Sequence, residues 1–417
     1  MHIVAMTRFS PDRFPPGFFD LPQGAGETLP LEIIARWRRS DQTRQAALEI
    51  LGPHTLRGTL VASDSAGLTR LTRERPLIEI LAMLSHPKEI IHAFGRAIGG
   101  RGVGVWAADN TEMFYDATIS AERVLGMLRA AMARMARECE AGIGMAVHTG
   151  EFYELGAGVY GRDADRIELV AEEHTTAGEL VITGEVARAL GAAHPFSLSA
   201  RADLAGEFGE ILRVTDGPEL TGLEATDTQY PAPFPQDFST GLGKYARTRR
   251  DSVMPRQAYE DLAVVLIVRE AEDRDVPEVA VLNDLALTAA MKRIGTELLR
   301  DVHGAEIKNS GLLGIYTFPE CRDALAFARA FRTALDAQGI RCRIGIDYGP
   351  VLRFELAPGS HDIAGSAVNI ASKLAEDVGD FGKIQISDVV AQRAGARRER
   401  PTLTFKVSGV ELRAYDL

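Results

Sequence analysis

The sequence has few cysteines, no long apolar run and no excess of cations. Its three cysteines, Cys139, Cys321 and Cys342, lie far apart in 417 residues, which fits buried thiols in a reducing compartment better than a disulfide framework or a zinc site. No stretch approaches the length of a membrane span, and the first apolar run is too short for a signal peptide. We therefore expect a cytoplasmic protein.

The charge balance is acidic, with 47 Lys and Arg against 58 Asp and Glu and a net charge of −11. This balance argues against general binding to nucleic acid or to membranes. A polyanionic ligand would have to be met by local cations, either metal ions or a few well-placed lysines and arginines. The length predicts at least two domains, and a hydrophobic content of 46% is typical of globular proteins.

The most informative stretch, residues 58–69, reads GTLVASDSAGLT. Its apolar part predicts a buried strand that delivers Asp64 into a turn of small residues, where backbone N–H groups can approach an anion closely. Asp109 lies in a later turn between two strand-like runs, which predicts a hairpin. Two carboxylates beside a phosphate-sized turn are typical of a divalent-cation site, although two aspartates in surface turns satisfy the same spacing.

The chain separates into four segments by composition. Residues 1–54 predict a proline- and phenylalanine-rich arm followed by a helix, and residues 55–217 alternate strands with helices. That alternation predicts an α+β, ferredoxin-like domain with helices on one face of a sheet. Residues 218–258 have the composition of a linker, and residues 259–417 form a second domain.

The second domain repeats the first. Residues 161–191 align without gaps on residues 365–395, a constant spacing of 204 from Gly161 to Gly365. The opening strand and the hairpin also recur after the linker. An internal duplication of this length predicts two homologous domains, which would dock most naturally about a pseudo-two-fold axis.

These motifs resemble the class III nucleotide cyclases. The first copy has the strand ending in aspartate, the small-residue turn and the hairpin aspartate, and the second has DIAGSAVNIASKL, similar to the family pattern D-x-x-G-x-x-V-N-x-A-S-R. The resemblance covers most of the chain but not residues 1–54. It implies two ferredoxin-like cyclase homology domains that form an intramolecular pseudo-two-fold heterodimer with the site between them.

The resemblance assigns the metal half of the site to the first copy. It implies that Asp64 and Asp109 bind two Mg²⁺ or Mn²⁺ ions. The Ser65 carbonyl would add a ligand, and the N–H groups of Ala66, Gly67 and Leu68 would hold the β- and γ-phosphates. His148, in a strand-end HTG tripeptide, is predicted to be a packing residue.

The resemblance assigns the other half of the site to the second copy. Asn369 would orient the ribose, and Lys373 would stabilise the transition state, where the family usually has arginine. Lys308 and Asp362 would recognise the base, and Lys406 would hold the triphosphate.

Each copy lacks what the other has. In the second copy Arg269 and Leu312 stand at the positions predicted for the aspartates. In the first copy the residues that align with Asn369, Lys373, Asp362 and Lys308 are Asp165, Leu169, Gly158 and Val105. This complementary loss predicts one composite site and one inactive pseudo-site.

The resemblance implies an adenylate cyclase that converts ATP to 3′,5′-cyclic AMP and pyrophosphate. Lys308 can donate to a ring nitrogen and Asp362 can accept from an exocyclic amine, which complements adenine, whereas guanylate cyclases carry Glu and Cys. Bacterial relatives that cyclise pyrimidine nucleotides keep UTP and CTP open as substrates. The lysine at position 373 keeps open a regulatory nucleotide-binding module. We expect a nucleoside triphosphate as the partner, no nucleic acid and no membrane, and a monomer is compatible with pairing inside the chain.

Overall fold

The computed structural model describes residues 29–65, 75–104, 106, 110–156, 158–223, 230–232, 234–248, 259–271, 276–357, 360–395, 401–407 and 410–417. Within these residues the chain divides into two compact units. The first unit contains the described residues from Leu51 to Thr248. The second combines those before Leu51 with those from Tyr259 to Leu417.

Two helices precede the first sheet, α1 (Leu31–Arg39) and α2 (Arg44–Leu51). The strands of the first unit are β1 (Thr55–Ser65), β2 (Arg101–Gly102), β3 (Thr111–Asp116), β4 (Ile143–Leu155), β5 (Gly158–Tyr160), β6 (Leu180–Thr183), β7 (Ser197–Ala200) and β8 (Ile211–Asp216). Its helices are α3 (Leu77–Ala97), α4 (Ala121–Glu138), α5 (Arg162–His174), α6 (Gly184–Leu190), α7 (Ala205–Phe208) and α8 (Gln236–Thr248).

The second unit repeats this series. Its strands are β9 (Tyr259–Arg269), β10 (Ala305–Ser310), β11 (Leu313–Phe318), β12 (Cys342–Ala357), β13 (Ser360–Ala364), β14 (Ile384–Ser387), β15 (Leu403–Val407) and β16 (Val410–Asp416). Its helices are α9 (Pro277–Leu298), α10 (Cys321–Ala337), α11 (Ser366–Glu376) and α12 (Asp388–Arg393). Among the helices that the structure describes, none combines the length and the apolar character needed to cross a membrane.

The two sheets have the same topology. The first runs β2-β3-β1-β4-β6-β8-β7 with β5 on β4, and the second runs β10-β11-β9-β12-β14-β16-β15 with β13 on β12. In each sheet the fourth and fifth strands of this order, β4–β6 and β12–β14, pair in parallel, whereas the central pairs are antiparallel. The predicted α+β fold and the predicted duplication are confirmed.

Both faces of each sheet are covered by helices. In β1, Val61 belongs to the core formed with α3 and α4, whereas Leu60 and Ala62 belong to the core formed with α5. An uninterrupted apolar run places apolar side chains on both faces of a strand, so both faces must be buried. The prediction of helices on one face was therefore wrong.

The second sheet is built in the same way. Val264 and Leu266 of β9 pack with the alanines of α11 on one face. On the other face, the Tyr316 ring of β11 lies 4.7 Å from the Phe327 ring of α10, centroid to centroid. Small alanines let α11 lie close to the sheet, which matters because this helix carries two of the predicted site residues.

The N-terminal helices pack on the second unit. Trp37 of α1 is fully buried, and its indole N–H donates a hydrogen bond of 2.9 Å to the Oδ1 atom of Asn283 in α9. Arg44 of α2 forms an ion pair of 3.3 Å with Glu278. The helix predicted within residues 1–54 is thus a packing helix, divided in two, and the proline-rich arm lies outside the described residues.

The segment predicted as a linker is folded where the structure describes it. Its helix α8 packs on α3, where Arg247 pairs with Glu89 at 3.1 Å. Further back, the Tyr230 ring stacks on Trp106 with centroids 5.7 Å apart, and its hydroxyl shares a 3.0 Å hydrogen bond with Ser85. The buried Tyr230 side chain thus packs this segment against the first unit, which its prolines and glycines did not predict. The predicted domain boundaries at 54, 217 and 258 stay predictions.

Candidate active site

Asp64 lies at the end of β1, as predicted. The strand pairs with β4 through Ser65 and with β3 as far as Ser63, which faces Thr111. The hydroxyls of Ser63 and Thr111 share a 2.6 Å hydrogen bond, so the strand is fixed immediately before Asp64. The Asp64 side chain is half-buried, as a carboxylate at the rim of a sheet would be.

Ser65 follows Asp64 at the end of β1 and is buried. Ala66, Gly67, Leu68 and Asp109 lie outside the described residues. Along the chain, Asp109 is two residues before Thr111, whose partner in β1 is next to Asp64. The described residues contain no group of three or more acidic, histidine or cysteine side chains able to hold a metal ion. Of the two carboxylates predicted to bind a divalent cation, the described residues contain Asp64, an oxygen donor of the type that Mg²⁺ and Mn²⁺ prefer.

The sheet registers decide which residues of the two units correspond. Asp64 pairs with Gly144 of β4 in the first sheet. The parallel pairs β4–β6 and β12–β14 make Arg343 of β12 equivalent to Gly144, and Arg343 pairs with Val268. Val268 therefore corresponds to Asp64, and the prediction that Arg269 replaces the first aspartate was wrong by one residue. Strand register, which composition does not fix, accounts for the difference. Neither Val268 nor Arg269 is a carboxylate, so the second unit lacks the first aspartate in either alignment.

A second correction concerns the base-recognising lysine. Lys308 pairs with Ile315 in the second sheet. The residue of the first sheet that corresponds to Ile315 is Glu112, and its backbone carbonyl accepts a 3.0 Å hydrogen bond from the Val103 N–H. Val103, and not Val105, therefore corresponds to Lys308, because the first hairpin has the longer connection. The registers agree with the other predicted matches: Asp362 with Gly158, Asn369 with Asp165, and Lys373 with Leu169.

Helix α11 carries Asn369 and Lys373 on one face, because residues four apart on a helix lie one above the other. Gly365 precedes the helix with a φ of 157° and lies against the Pro350 carbonyl, where a Cβ atom would come within 2.6 Å of the oxygen. Glycine is therefore required where β13 turns into α11.

The sequence analysis missed a partner of Lys373. The Lys373 Nζ atom lies 3.2 Å from the Oδ2 atom of Asp377, one helical turn on, and the two side chains are 32% and 41% exposed. An exposed i,i+4 pair of this kind contributes about 0.5 kcal/mol, so a bound phosphate could displace it. The opposite charges at this spacing are the signal that could have identified the pair.

The two residues predicted to recognise the base lie on strands that contact each other. Lys308 is on β10 and Asp362 on β13. The Asp362 Oδ1 atom accepts a 2.8 Å hydrogen bond from the Ile363 N–H, which orients the carboxylate. A bulge between Glu306 and Lys308 shifts the strand register just before the lysine.

Lys406 is not brought to the same edge. It lies on β15, the strand at the opposite end of the sheet order from β10. Its side chain is exposed, and across the hairpin it faces Glu411. The second unit therefore places its two predicted substrate lysines at opposite edges of one sheet.

The first unit has the acidic residues Glu112, Asp165 and Glu168 where the second has Ile315, Asn369 and Ser372. Burial raises the pKa of Glu112 well above its usual value, and the nearby carboxylates of Glu168 and Asp165 raise it further. The pKa of Tyr160 is also raised, by burial and then by Glu112 and Asp165. Burial therefore favours the neutral forms of Glu112 and Tyr160, whereas the carboxylates of Glu168 and Asp165 would repel a triphosphate.

His148 is buried, as predicted for a packing residue, but it is also bonded. Its Nδ1 atom lies 3.0 Å from the Thr183 hydroxyl and its Nε2 atom 3.3 Å from the Oδ2 atom of Asp163. Arg166 lies 3.0 Å from the Nδ1 atom. The hydrogen bond with His148, more than any other contact, lowers the pKa of Asp163 below its usual value of 3.8.

Asp163→Asn is expected to destabilise the protein at neutral pH and to have no effect in strong acid. Because the folded-state pKa is lowered, the stabilisation is fully present above the usual value of 3.8 and is lost as the pH falls through the lowered value. Urea unfolding across the acid range, with the exposed Asp237→Asn as a control, measures this. A difference that grows as the pH falls would contradict the assignment.

One solved structure resembles most of the chain. A class III adenylyl cyclase-like ATP-binding protein from Pseudomonas aeruginosa matches over 81% of this chain and 85% of its own, with 13% identity and a TM-score of 0.54. The adenylyl cyclase CyaB from the same organism matches 39% of this chain and 96% of its own, with 18% identity and a TM-score of 0.34. An adenylate/guanylate cyclase/hydrolase from Silicibacter pomeroyi matches 38% and 96%, with 24% identity and a TM-score of 0.32.

No known family profile matches the sequence, and no curated protein does. The fold assignment therefore rests on the similarity between structures and not on the sequence comparisons. The match over 81% of the chain exceeds what one unit could supply, and the two sheets share one topology. The chain has the class III nucleotide cyclase fold, present as two tandem copies.

Proposed function

We propose that the chain is a nucleotidyl cyclase with one composite site, and that its substrate is ATP. The observation that carries the proposal is the complementarity of the two copies. Asp64 has Val268 as its counterpart, whereas Lys308, Asn369 and Lys373 have a valine, an aspartate and a leucine. A site formed from the metal half of one unit and the nucleotide half of the other would be complete only once.

Asp64 and Asp109 are the residues that would hold two divalent cations. The ions, when bound, supply Lewis acidity toward the ribose 3′-hydroxyl and neutralise charge on the phosphates. Ser65, Ala66, Gly67 and Leu68 would contribute backbone groups to the ion and to the β- and γ-phosphates. Lys406 would complete the binding of the triphosphate from its edge strand.

Asn369 and Lys373 would act on the reacting centre. In the reaction the 3′-oxygen attacks the α-phosphorus, the bond to the β-phosphate oxygen breaks, and pyrophosphate leaves. Asn369 would orient the ribose, and Lys373 would meet the charge that develops on the α-phosphate oxygens. A lysine offers a point charge in place of the two parallel donors of an arginine, so turnover suffers more than binding.

Lys373→Arg is expected to raise kcat by about tenfold, because a guanidinium can donate two hydrogen bonds to a phosphate at once. Lys373→Met is expected to lower kcat by about 100- to 1000-fold with a smaller change in KM. Steady-state kinetics measure both. The matched control is Lys383→Met, an exposed lysine of the same unit that pairs with Asp380 and Asp416. A loss in the control equal to that in Lys373→Met would contradict the assignment.

Lys308 and Asp362 support adenine as the base. A lysine that donates and a carboxylate that accepts complement one ring nitrogen and the exocyclic amine of adenine. A site built for one base leaves buried polar groups without partners when it binds another, which costs several orders of magnitude in selectivity.

Product analysis tests the function directly. The purified chain is incubated with ATP, GTP, CTP and UTP separately, first with Mn²⁺ and then with Mg²⁺, and the products are identified by chromatography and mass. We expect 3′,5′-cyclic AMP from ATP alone. A cyclic product from UTP or CTP would retain the mechanism and overturn the base assignment.

The second candidate is a nucleotide-binding module without turnover. The lysine at position 373 favours it, since it stands where the family usually has an arginine to stabilise the transition state. The P. aeruginosa structure that covers most of the chain is likewise described as a cyclase-like ATP-binding protein. Nucleotide binding without any cyclic product would decide for this module.

A further inference from the structure

Arg269, at the end of β9, is fully buried and fully charged, and the proposed mechanism does not use it. A buried guanidinium is costly unless oxygen atoms replace its water. Its Nη1 atom donates to the Oδ1 atom of Asp284 at 2.8 Å and to the Glu270 carbonyl at 3.1 Å. Its Nη2 atom donates to the Asp284 carbonyl at 3.0 Å and lies 3.4 Å from the Gly311 carbonyl.

One of these contacts, to the Gly311 carbonyl, reaches the turn of the β10–β11 hairpin. Ser310 faces Leu313, so Gly311 and Leu312 form the turn, and Gly311 has a φ of 55°. The Arg269 N–H donates to the Leu312 carbonyl at 3.0 Å. Both carbonyls of the turn are therefore held by one residue of β9.

Thr288 of α9 adds a third attachment. Its hydroxyl oxygen lies 2.7 Å from the Gly311 carbonyl oxygen and 2.7 Å from that of Asp284, and the side chain is buried. The turn is thus fastened both to the neighbouring strand and to the long helix beneath it. Gly311, the first residue of the turn, lies three residues after Lys308. Lys308 belongs to β10, the strand that would present this lysine to the base.

The first unit fastens its hairpin from the same helix position. Gly95 of α3 lies against the Met113 side chain, and Gly295 of α9 lies against the Tyr316 side chain. Met113 and Tyr316 occupy equivalent positions of the two sheets, so the two glycines correspond. Seven residues before each glycine are Lys88 and Thr288.

Lys88 is buried, and its Nζ atom donates to the Trp106 carbonyl at 3.2 Å. Trp106 lies in the connection between β2 and β3, so the carbonyl belongs to the hairpin. In both units, a buried side chain at this helix position thus contacts a backbone carbonyl of the hairpin.

We propose that Arg269, Asp284 and Thr288 are positioning residues that hold the β10–β11 hairpin and thereby set where Lys308 meets the base. The proposal rests on the proposed function for its consequence, since it assumes that Lys308 recognises the base. Its physical basis is independent. A short strand that is interrupted by a bulge just before its half-buried lysine would move without a fixed turn, and a small displacement would misalign a hydrogen bond to the base.

The test compares two threonines of α9. Thr288→Val removes the hydroxyl that contacts the hairpin, whereas Thr296→Val removes one that contacts only the helix, 2.9 Å from the Lys292 carbonyl. In the full chain, Thr288→Val is expected to reduce the ratio of kcat/KM for ATP to that for GTP by about five- to tenfold. Thr296→Val and the conservative Thr288→Ser are expected to leave this ratio unchanged.

Hydrogen exchange of the hairpin amides provides a readout that does not need activity. We expect faster exchange at residues 310–315 in Thr288→Val than in Thr296→Val. An unchanged selectivity ratio in Thr288→Val, or an equal change in both valine variants, would overturn the proposal. A wild-type chain that does not discriminate ATP from GTP, with the exchange difference still present, would remove the base assignment and leave the hairpin attachment standing.

Discussion

Asp64→Asn is expected to lower kcat by about 1000-fold or more, the largest effect of any single change we expect in this chain. The carboxylate is at the end of a strand whose last pairing with β3, Ser63 with Thr111, stays intact in the variant. The amide keeps the shape and loses the charge that would balance a divalent cation. Turnover at saturating ATP with Mn²⁺, alongside the urea unfolding midpoint, separates this loss from misfolding.

The matched control is Asp116→Asn. Asp116 is an exposed aspartate at the opposite end of β3, where it faces Gly58. It belongs to the same sheet and bears the same charge, so a general electrostatic effect would appear in both variants. Full activity in Asp64→Asn would remove the metal assignment, and a loss in Asp116→Asn of the same size would remove its specificity.

Lys308→Glu combined with Asp362→Cys is expected to shift the preference from ATP toward GTP by about 100-fold or more in the ratio of kcat/KM. The lysine donor becomes an acceptor, and the carboxylate acceptor becomes a weak donor, which reverses the pattern offered to the base. The two strands that carry these residues contact each other, so both changes act on one side of the proposed pocket.

The two single variants serve as the controls for this exchange. Each should lose activity toward ATP without gaining activity toward GTP, because one mismatched group remains. The kinetics are measured for all four nucleotides. An unchanged preference in the double variant would mean that Lys308 and Asp362 do not contact the base.

The fold could be predicted from the sequence because the chain contains it twice. The gapless spacing between Gly161 and Gly365 is reproduced in space by two sheets of identical order. What the sequence did not predict was the cover on both sheet faces, because an apolar run such as Leu60 to Ala62 does not say which elements bury it. The helix α8 was also missed, since its apolar face is short and prolines surround it.

The site could be predicted only as far as local motifs reach. The pattern around Asn369 and Lys373 is contiguous on one helix, so its placement followed from the sequence. The equivalences of Val268 and Val103 depend on strand register, and a shift of one or two residues is invisible in an alignment of short apolar strands. Arg269 was interpreted as a lost metal ligand because its partners, Asp284 and Gly311, are distant in sequence.

The hydrogen bond between Trp37 and Asn283 has a consequence for the order of folding during synthesis. The two residues are 246 positions apart, and the first unit is encoded between them. At about 5 to 20 residues per second, helix α1 leaves the ribosome roughly 12 to 50 seconds before its partner helix exists. The first unit can fold meanwhile, whereas the N-terminal helices have to wait with an unburied tryptophan. Helix α1 is thus made before the first unit but reaches its final place after it.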